Sequence, residues 1–293
     1  MIDILLQGVL LGGYYALLAV GLAFLYSIMG IINLAHGSFA VLAAYLVLAM
    51  IDSLGIDVWL AVLAVLPIMA VIGALVDRLI FEPVQKGGQL LSVLATFGLS
   101  VVIDNLIFQI WGANTRTLAN ALGDLAWASW EIGGLWVGKI SIYILLAAVG
   151  LLTGLTLLIA RTPLGRAIRA TATDPDTAGL VGVDARRART IASALAFVAI
   201  GVAGAALGMR TTFTPYAGVT QLLFAFQAAV IGGSTSVRGT LFGGIVLGLA
   251  QTLGATIHTQ GFLIGGHLVF FAALFLRLQF GTLRLPKLRR AAA

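Results

Sequence analysis

Residues 161–189, RTPLGRAIRATATDPDTAGLVGVDARRAR, form the only long charged stretch in a chain that is otherwise almost entirely apolar, and they carry six arginines and three aspartates. Hydrophobic residues make up 60% of the 293 residues and charged residues 10%, whereas soluble domains contain about 45–50% and about 25%. The mean hydropathy is +1.08. The sequence therefore predicts an integral membrane protein with one polar island.

Apolar segments recur along the chain at intervals of about 20 residues, the length of a helix that crosses about 30 Å of hydrocarbon. We place them at 4–26, 36–51, 58–76, 90–111, 140–160, 190–210, 239–257 and 261–279, with a shorter one at 221–232. This pattern predicts an all-α polytopic helix bundle of about eight or nine spans. Residues 1–293 form one transmembrane domain, and 161–189 is a loop within it.

Positive charge indicates which loops face the cytoplasm, because short loops rich in Lys and Arg stay inside. Such residues cluster in 161–189 and in the tail 277–290, so we expect both to be cytoplasmic. Segment 112–139 has few basic residues and three tryptophans, which indicates an outer segment close to the membrane interface. No basic residue precedes Arg78, so the first apolar run should be retained and the N-terminus should face outward.

Two places interrupt the apolar pattern, one in each half of the chain. The first is 27–37 (SIMGIINLAHG), and the second is the short run 221–232 with the turn that follows it. The candidate turn residues are Gly232, Gly233, Ser234 and Gly239. Irregular backbone at membrane depth is tolerated only where protein or water covers it, so two breaks indicate a polar path near the midplane. The candidate residues lining this path are Asn33, His36, Thr96, Asp104 and Asn105.

The polar loop contains three helix-start signals, at Thr162, Asp174 and Asp184. Proline follows the first two, as is typical of the first helical position. We therefore expect a helix from Pro163 to about Thr173, a second that stops near Gly182, and a capped membrane helix after them. The arginines that follow should lie at the lipid headgroups: Arg186, Arg187 and Arg189. The product is either a solvated connector that fixes topology or a coupling helix that docks on a soluble partner.

Most glycines occur in small-xxx-small spacings, which favour close helix packing in lipid. Examples are Gly8/Gly12, Gly150/Gly154, Gly204/Gly208, Gly239/Gly243, Gly244/Gly248 and Gly261/Gly265.

Three stretches carry a resemblance to a known family: YSIMGIINLAHGSFAVLAAY (26–45), RTPLGRAIRATATDPDTAGLVGVD (161–184) and AVIGGSTSVRGTLFGGIVLGLAQ (229–251). They resemble the integral permease subunits of ATP-driven importers of branched-chain amino acids, and among these the LivH type. With the hydropathy profile, the resemblance covers essentially the whole chain.

The resemblance implies a bacterial inner-membrane permease of the larger-bundle importer type. Its implied partners are a second homologous permease subunit, two cytoplasmic ATP-binding subunits, an extracytoplasmic solute-binding protein and membrane lipid, with no nucleic acid. The chain itself would hold no cofactor, because ATP and Mg²⁺ are bound by the partner subunits. Matched onto this sequence, the ATPase contact falls on Arg166, Arg169, Asp174, Pro175, Asp176, Ala178 and Gly182.

An enzymatic function has little support in the residues. The stretch 133–140 (GGLWVGKI) fits the first part of a P-loop but lacks the Ser or Thr that would bind Mg²⁺. Three scattered histidines show no metal-ligand spacing, and a Gly-x-Ser-x-Gly elbow is absent. We expect no catalytic residue and no metal site.

An ion-coupled secondary transporter of a small polar solute is the alternative function, because it too would use broken helices. It would need a charged residue buried at mid-depth, for which Asp104 is the candidate. Asp104 could equally reach the membrane interface from the outer third of its run. Arg210 likewise either extends to the interface or binds a substrate carboxylate.

Overall fold

Helix α1 (Ile2–Met29) is surrounded by other helices along almost its whole length. Within it, 94% of an apolar stretch of 18 residues is buried. A helix that is apolar on every side belongs in the interior of a bundle. The computed structural model describes residues 1–85, 87–233 and 239–282. The other helices are α2 (His36–Leu54), α3 (Val58–Val76), α4 (Glu82–Gln85), α5 (Gln89–Trp111), α6 (Ala119–Leu122), α7 (Lys139–Arg161), α8 (Pro163–Thr173), α9 (Pro175–Leu180), α10 (Ala185–Arg210), α11 (Gly218–Gly232), α12 (Gly239–Ile257) and α13 (Gly261–Thr282).

Eight helices in the described ranges are long and apolar enough to cross a membrane, and α11 is a shorter apolar helix. Each predicted apolar segment falls within one of them, which confirms the polytopic helical bundle. A π-helical stretch, Asp77–Phe81, joins α3 to α4, and the combined helix is counted as one span. Helix α1 packs against α2, α7, α10, α11 and α12, while α3 packs on the far side of α10.

Glycine allows α1 and α12 to approach closely in antiparallel orientation. A Cβ on Gly12 would lie 2.8 Å from the carbonyl oxygen of Gly244, and one on Gly248 would lie 2.6 Å from the nitrogen of Gly12. This contact confirms the packing interpretation for these spacings. The pair Gly150/Gly154 differs, because neither position has a neighbouring atom within 4 Å among the described residues.

One end of the bundle, called here the hairpin end, carries β1 (Ser129–Ile132) and β2 (Leu135–Gly138). The strands pair antiparallel through a two-residue turn at Gly133 and Gly134, whose φ angles are +60° and +80°. Positive φ at both central residues is the type I′ pattern that suits a hairpin. The glycines of the P-loop-like stretch therefore form a hairpin turn. Gln7 Nε2 donates to the carbonyl oxygen of Trp136 (3.3 Å), so α1 begins at the hairpin end.

The opposite end, called here the loop end, carries α8 and α9. All three predicted caps are confirmed: Thr162 Oγ1 accepts from the Gly165 amide (3.0 Å), Asp174 Oδ1 from the Thr177 amide (3.1 Å), and Asp184 Oδ1 from the Arg187 amide (2.9 Å). Each cap satisfies a backbone N–H that lacks a helical partner. Together, α8 and α9 form a helical projection, called here the knuckle.

The expectation that the arginines after Asp184 lie at the lipid headgroups is wrong for Arg189. The Arg189 side chain is only 18% exposed, and its Nε lies 3.2 Å from Oδ1 of Asp77, which is fully buried. A second ion pair joins Arg186 Nε to Glu82 Oε2 at 2.9 Å. Arg186 and Arg189 instead turn toward acidic residues of the α3–α4 segment, and for Arg189 the pairing compensates the buried charge of Asp77.

Candidate functional site

The first predicted break lies between α1 and α2 and returns the chain toward the middle of the bundle. Helix α1 stops at Gly30, which adopts the left-handed conformation with φ of +66°. His36 Nε2 lies 2.7 Å from the carbonyl oxygen of Leu18. Leu18 precedes the end of α1 by three helical turns, so the chain climbs back by roughly 16 Å before α2 begins. Helix α2 therefore starts near the middle of α1.

The start of α11 meets the start of α2. A Cβ on Gly218 would lie 2.7 Å from Ser38 Oγ, and Tyr14 Oη donates to Gln221 Oε1 at 2.6 Å. The N-cap residues Ala35 and Ala217 offer no side-chain cap, and at the start of α2 the Asn33 Oδ1 accepts from the Ala35 amide at 3.0 Å. Two helix N-termini, each with partial positive charge, thus converge at mid-depth.

The sequence analysis placed the second break in the short run 221–232 and the turn that follows it, whereas the segment that meets the first break is 211–217, which precedes α11. Sequence reasoning missed this position because an apolar run gives no sign of which of its ends lies at mid-depth. Gly232 and Gly239 still form a close contact: a Cβ on Gly232 would lie 2.4 Å from the carbonyl carbon of Gly239. Gly233 has φ of +104°, and Ser234 lies outside the described residues.

A polar stripe on α5 lines the buried side of the first break. Its members are four residues apart and so share one helix face: Ser92, Thr96, Ser100 and Asp104, all buried. Thr96 Oγ1 accepts from the Leu34 amide at 3.1 Å, which fixes the chain before α2. Asp104 lies near Ser38, at the start of α2. The stripe thus brings a carboxyl group to the place where the two helices begin.

Three buried polar atoms around this place have no hydrogen-bond partner in the described part of the chain: Asn33 Nδ2, His36 Nδ1 and Asp104 Oδ1. Buried polar groups are nearly always paired, and unpaired ones often mark a site for water, an ion or a ligand. Asn105 is different, because it is exposed and its Nδ2 donates to the Val101 carbonyl oxygen (2.8 Å). The structure therefore gathers four of the five predicted lining residues and places Asn105 on the outer face of α5.

Two apolar cavities of about 200 and 320 Å³ flank the break, and they share Leu22, Ile32 and Phe226. The larger cavity extends to Val219 and Leu222 in the first turns of α11. We call the two cavities together the apolar groove. Sequence reasoning missed these residues, since apolar side chains of a pathway look like any others in a membrane span.

The knuckle exposes the predicted arginines and also an apolar tip that the sequence analysis did not predict. Arg166 and Arg169 are exposed as expected, and the Arg169 guanidinium also donates to the Ile159 carbonyl. Ala178 is buried, whereas Leu180 is 87% exposed and Val181 75%. Sequence reasoning missed this apolar tip.

The remaining predicted knuckle residues shape the turn into α9. Pro175 and Asp176 form the first turn of α9 and are exposed, and Gly182 follows the helix with φ of +82°. The Thr177 hydroxyl, then the Thr177 amide, hold the pKa of Asp174 below its ordinary value of 3.8, because both donate to the charged carboxylate.

Arg210 lies at the hairpin end of α10 and is exposed. Its guanidinium lies 5.6 Å from the centre of the Tyr14 ring, within the range of a cation–π interaction. Arg210 therefore contacts Tyr14, whose hydroxyl donates to Gln221 near the start of α11.

Comparison with known proteins shows extended similarity. The profile of the family described as branched-chain amino acid transport system, permease component, matches residues 4–276. The chain is 29% identical over 263 residues to the high-affinity branched-chain amino acid transport system permease protein BraD of Pseudomonas aeruginosa, covering 86% of each protein. It is 31% identical to the corresponding protein LivH of Escherichia coli K12, covering 84% of this chain and 83% of LivH. A probable LivH of Methanocaldococcus jannaschii is 28% identical, covering 86% and 82%.

Proposed function

The chain belongs to the family of permease components of branched-chain amino acid transport systems, and from that membership we propose that it forms the translocation pathway of an ATP-driven importer for branched-chain or related amino acids. It is a multi-pass membrane transport subunit and not itself an enzyme. The energy comes from two cytoplasmic ATP-binding subunits, which bind ATP and Mg²⁺. A second homologous permease completes the pathway, and an extracytoplasmic binding protein delivers the solute.

The loop end faces the cytoplasm and the hairpin end faces outward. This orientation follows from charge, since the knuckle carries arginines and basic short loops remain inside. Exposed Trp127 and Trp136 near the hairpin suit the outer membrane interface, where amphipathic rings are enriched.

The observation that carries the proposal is the meeting of two helix N-termini beside the apolar groove. A branched-chain amino acid is a zwitterion with an aliphatic side chain, so its passage needs polar compensation next to apolar surface. The starts of α2 and α11, where neither N-cap side chain binds a backbone amide, suit the carboxylate, because helix N-termini attract anions. Asp104, with one unpaired oxygen, suits the ammonium group, and the groove takes the side chain.

Coupling to the motor occurs at the knuckle. Two consecutively capped helices with exposed Arg166 and Arg169 give a defined shape, which a flexible connector would not need. The apolar tip, Leu180 and Val181, supplies the hydrophobic anchor that dominates many protein interfaces. Nucleotide-driven closure of the ATPases then moves the knuckle and switches the pathway between outward and inward openings.

Copurification of the native complex after mild detergent extraction tests this function. The wild-type permease should retain ATPase subunits, and the reconstituted complex should take up radiolabelled leucine only with ATP. Reversing charge at both Arg166 and Arg169, to Glu, should release the ATPases while the permease stays membrane-inserted. A double reversal at Arg161 and Arg187, which are also exposed, changes the net charge equally and should retain them.

Equal loss of ATPase in both double variants would show a general charge effect and would refute docking at this face of α8. Uptake by the purified permease alone, driven by an ion gradient without nucleotide, would support the secondary-carrier alternative, for which the buried Asp104 is the specific observation.

A further inference from the structure

A compact ion cluster joins the loop-end segments of α3, α4 and α10. Arg189 Nε pairs with Asp77 Oδ1 at 3.2 Å, and Arg189 Nη2 lies 3.3 Å from Glu82 Oε2. Thr190 Oγ1 donates to the second oxygen of Asp77 at 2.8 Å. Asp77 is fully buried. Residues of α10 therefore donate hydrogen bonds to both oxygens of the Asp77 carboxylate.

Such a cluster is a poor device for stability alone. Burying charged groups costs desolvation, an ion pair often only balances that cost, and in some proteins such pairs are retained because they fix a specific geometry. The backbone beneath it is also unusual, because Asp77–Phe81 is π-helical. Single π turns are rare and frequently mark functional positions. Two costly features at one place indicate that the relative position of α3 and α10 matters here.

Gln85 extends this cluster to the first helix break. Its Oε1 accepts from Arg189 Nη1 at 3.1 Å, and its Nε2 donates to the Met29 carbonyl oxygen at 3.1 Å. Met29 is the last residue of α1, directly before the break. A carbonyl in the last turn has no helical N–H to accept from, so the Gln85 amide fills that role from another helix.

These contacts form one continuous path from the knuckle to the break. The knuckle leads through the capping residue Asp184 into the first turns of α10, where Arg189 contacts Gln85. Gln85 then contacts the end of α1, and residues 30–35 follow. The path is short: two hydrogen bonds, from Arg189 to Gln85 and from Gln85 to the Met29 carbonyl, join parts of the chain far apart in sequence.

We propose that Gln85 and Arg189 are positioning residues that transmit knuckle movement to the segment between α1 and α2, so that the mid-depth opening follows the ATPase cycle. This inference rests on the proposed function, because it requires an ATPase at the knuckle. Neither residue touches the solute. Their role is to make residues 30–35 move with α10, and not to hold the bundle together.

The test compares ATP consumption with solute uptake in the complete complex, copurified with its native partners and reconstituted in proteoliposomes. Gln85→Met keeps the side-chain length but removes both donor and acceptor. We expect unchanged ATPase association and unchanged thermal unfolding, while radiolabelled leucine moved per ATP hydrolysed falls about fivefold or more. A purely structural role would change stability and leave this ratio intact.

Two further variants make the result specific. Gln85→Glu can still accept from Arg189 but cannot donate to the Met29 carbonyl, so it should lower the ratio as Gln85→Met does. If Gln85→Met inserts poorly, Gln85→Glu carries the test alone. The matched control is Arg186→Gln, which removes an ion pair to Glu82 from a side chain that is 67% exposed. It should leave the ratio unchanged.

A normal uptake-to-ATP ratio in Gln85→Glu would overturn the link through Met29. An equal drop in Arg186→Gln would also overturn the inference, because loss of any contact near Glu82 would then have the same effect. Failure of the wild-type permease to retain ATPase subunits would instead contradict the proposed function, so the two failures are distinguishable.

Discussion

The close approach of α1 and α12 makes a sharp prediction about Gly244. A Cβ added there would lie 2.5 Å from the Gly12 carbonyl oxygen and 2.8 Å from the Ala16 nitrogen. An ordinary contact needs about 3.5 Å, so the two backbones must separate by about 1 Å. Both obstacles are backbone atoms, and a side-chain rotation cannot relieve the clash.

The free energy of unfolding of Gly244→Ala combines two opposing effects. Overpacking costs about 1–3 kcal/mol, while alanine gains about 1 kcal/mol over glycine in a helix. In Gly150→Ala only the gain in helix propensity applies, because no described atom lies within 4 Å of a Cβ at that position. We therefore expect Gly150→Ala to stabilise the permease by about 1 kcal/mol, and the two variants to differ by about 1–3 kcal/mol.

Equilibrium unfolding in mixed micelles, driven by increasing SDS and followed by circular dichroism, measures this difference. The midpoint should fall in the order Gly150→Ala, wild type, Gly244→Ala when overpacking exceeds the propensity gain. Equal midpoints for the two variants would refute the reasoning, since α1 and α12 would then not be in backbone contact.

Three other expectations concern the knuckle and the break. Leu180→Ser should weaken ATPase binding about tenfold or more, because burying a leucine contributes about 1.5–3 kcal/mol; a titration of reconstituted permease with purified ATPase that shows no change would exclude the tip from docking. Asp174 has a lowered pKa, so its stabilisation of α9 is complete above the unfolded-state pKa and is lost as pH falls through the folded-state value. Amide hydrogen exchange of Thr177, corrected for its intrinsic rate, should therefore show protection at about pH 6 that is lost as the pH falls below the ordinary Asp pKa of 3.8, and pH-independent protection would contradict the cap. Asp104→Asn should preserve folding but lower the kcat/KM of leucine uptake about tenfold, as loss of a charged hydrogen bond predicts; full uptake would remove Asp104 from the pathway.

Local signals made much of the fold predictable. Helix starts at Thr162, Asp174 and Asp184 were read correctly because a cap and its amide lie within three residues of each other. The membrane-spanning segments were equally predictable, because the thickness of the bilayer requires a similar length of apolar sequence in each of them. The first break was visible because polar residues such as Asn33 stand out in an apolar stretch.

Contacts between distant residues were not predictable. Arg189 and Asp77 are 112 positions apart, and composition gave no reason to pair them. The same holds for Ser38 and Asp104, which meet only because α5 packs against α2. A small-residue spacing also does not reveal which face it occupies: Gly12 packs against a neighbouring helix while Gly150 does not.

The central position of α1 has a consequence for biogenesis. Tyr15 Oη is hydrogen-bonded to Gln251, 236 residues later in the chain. At 5–20 residues per second, the ribosome needs roughly 10–50 s to make that partner. During this interval Tyr15 has no Gln251 to bind, and Gly8 and Gly12 have no facing helix α12. Nascent permeases should therefore be most vulnerable to membrane proteases before α12 is synthesised.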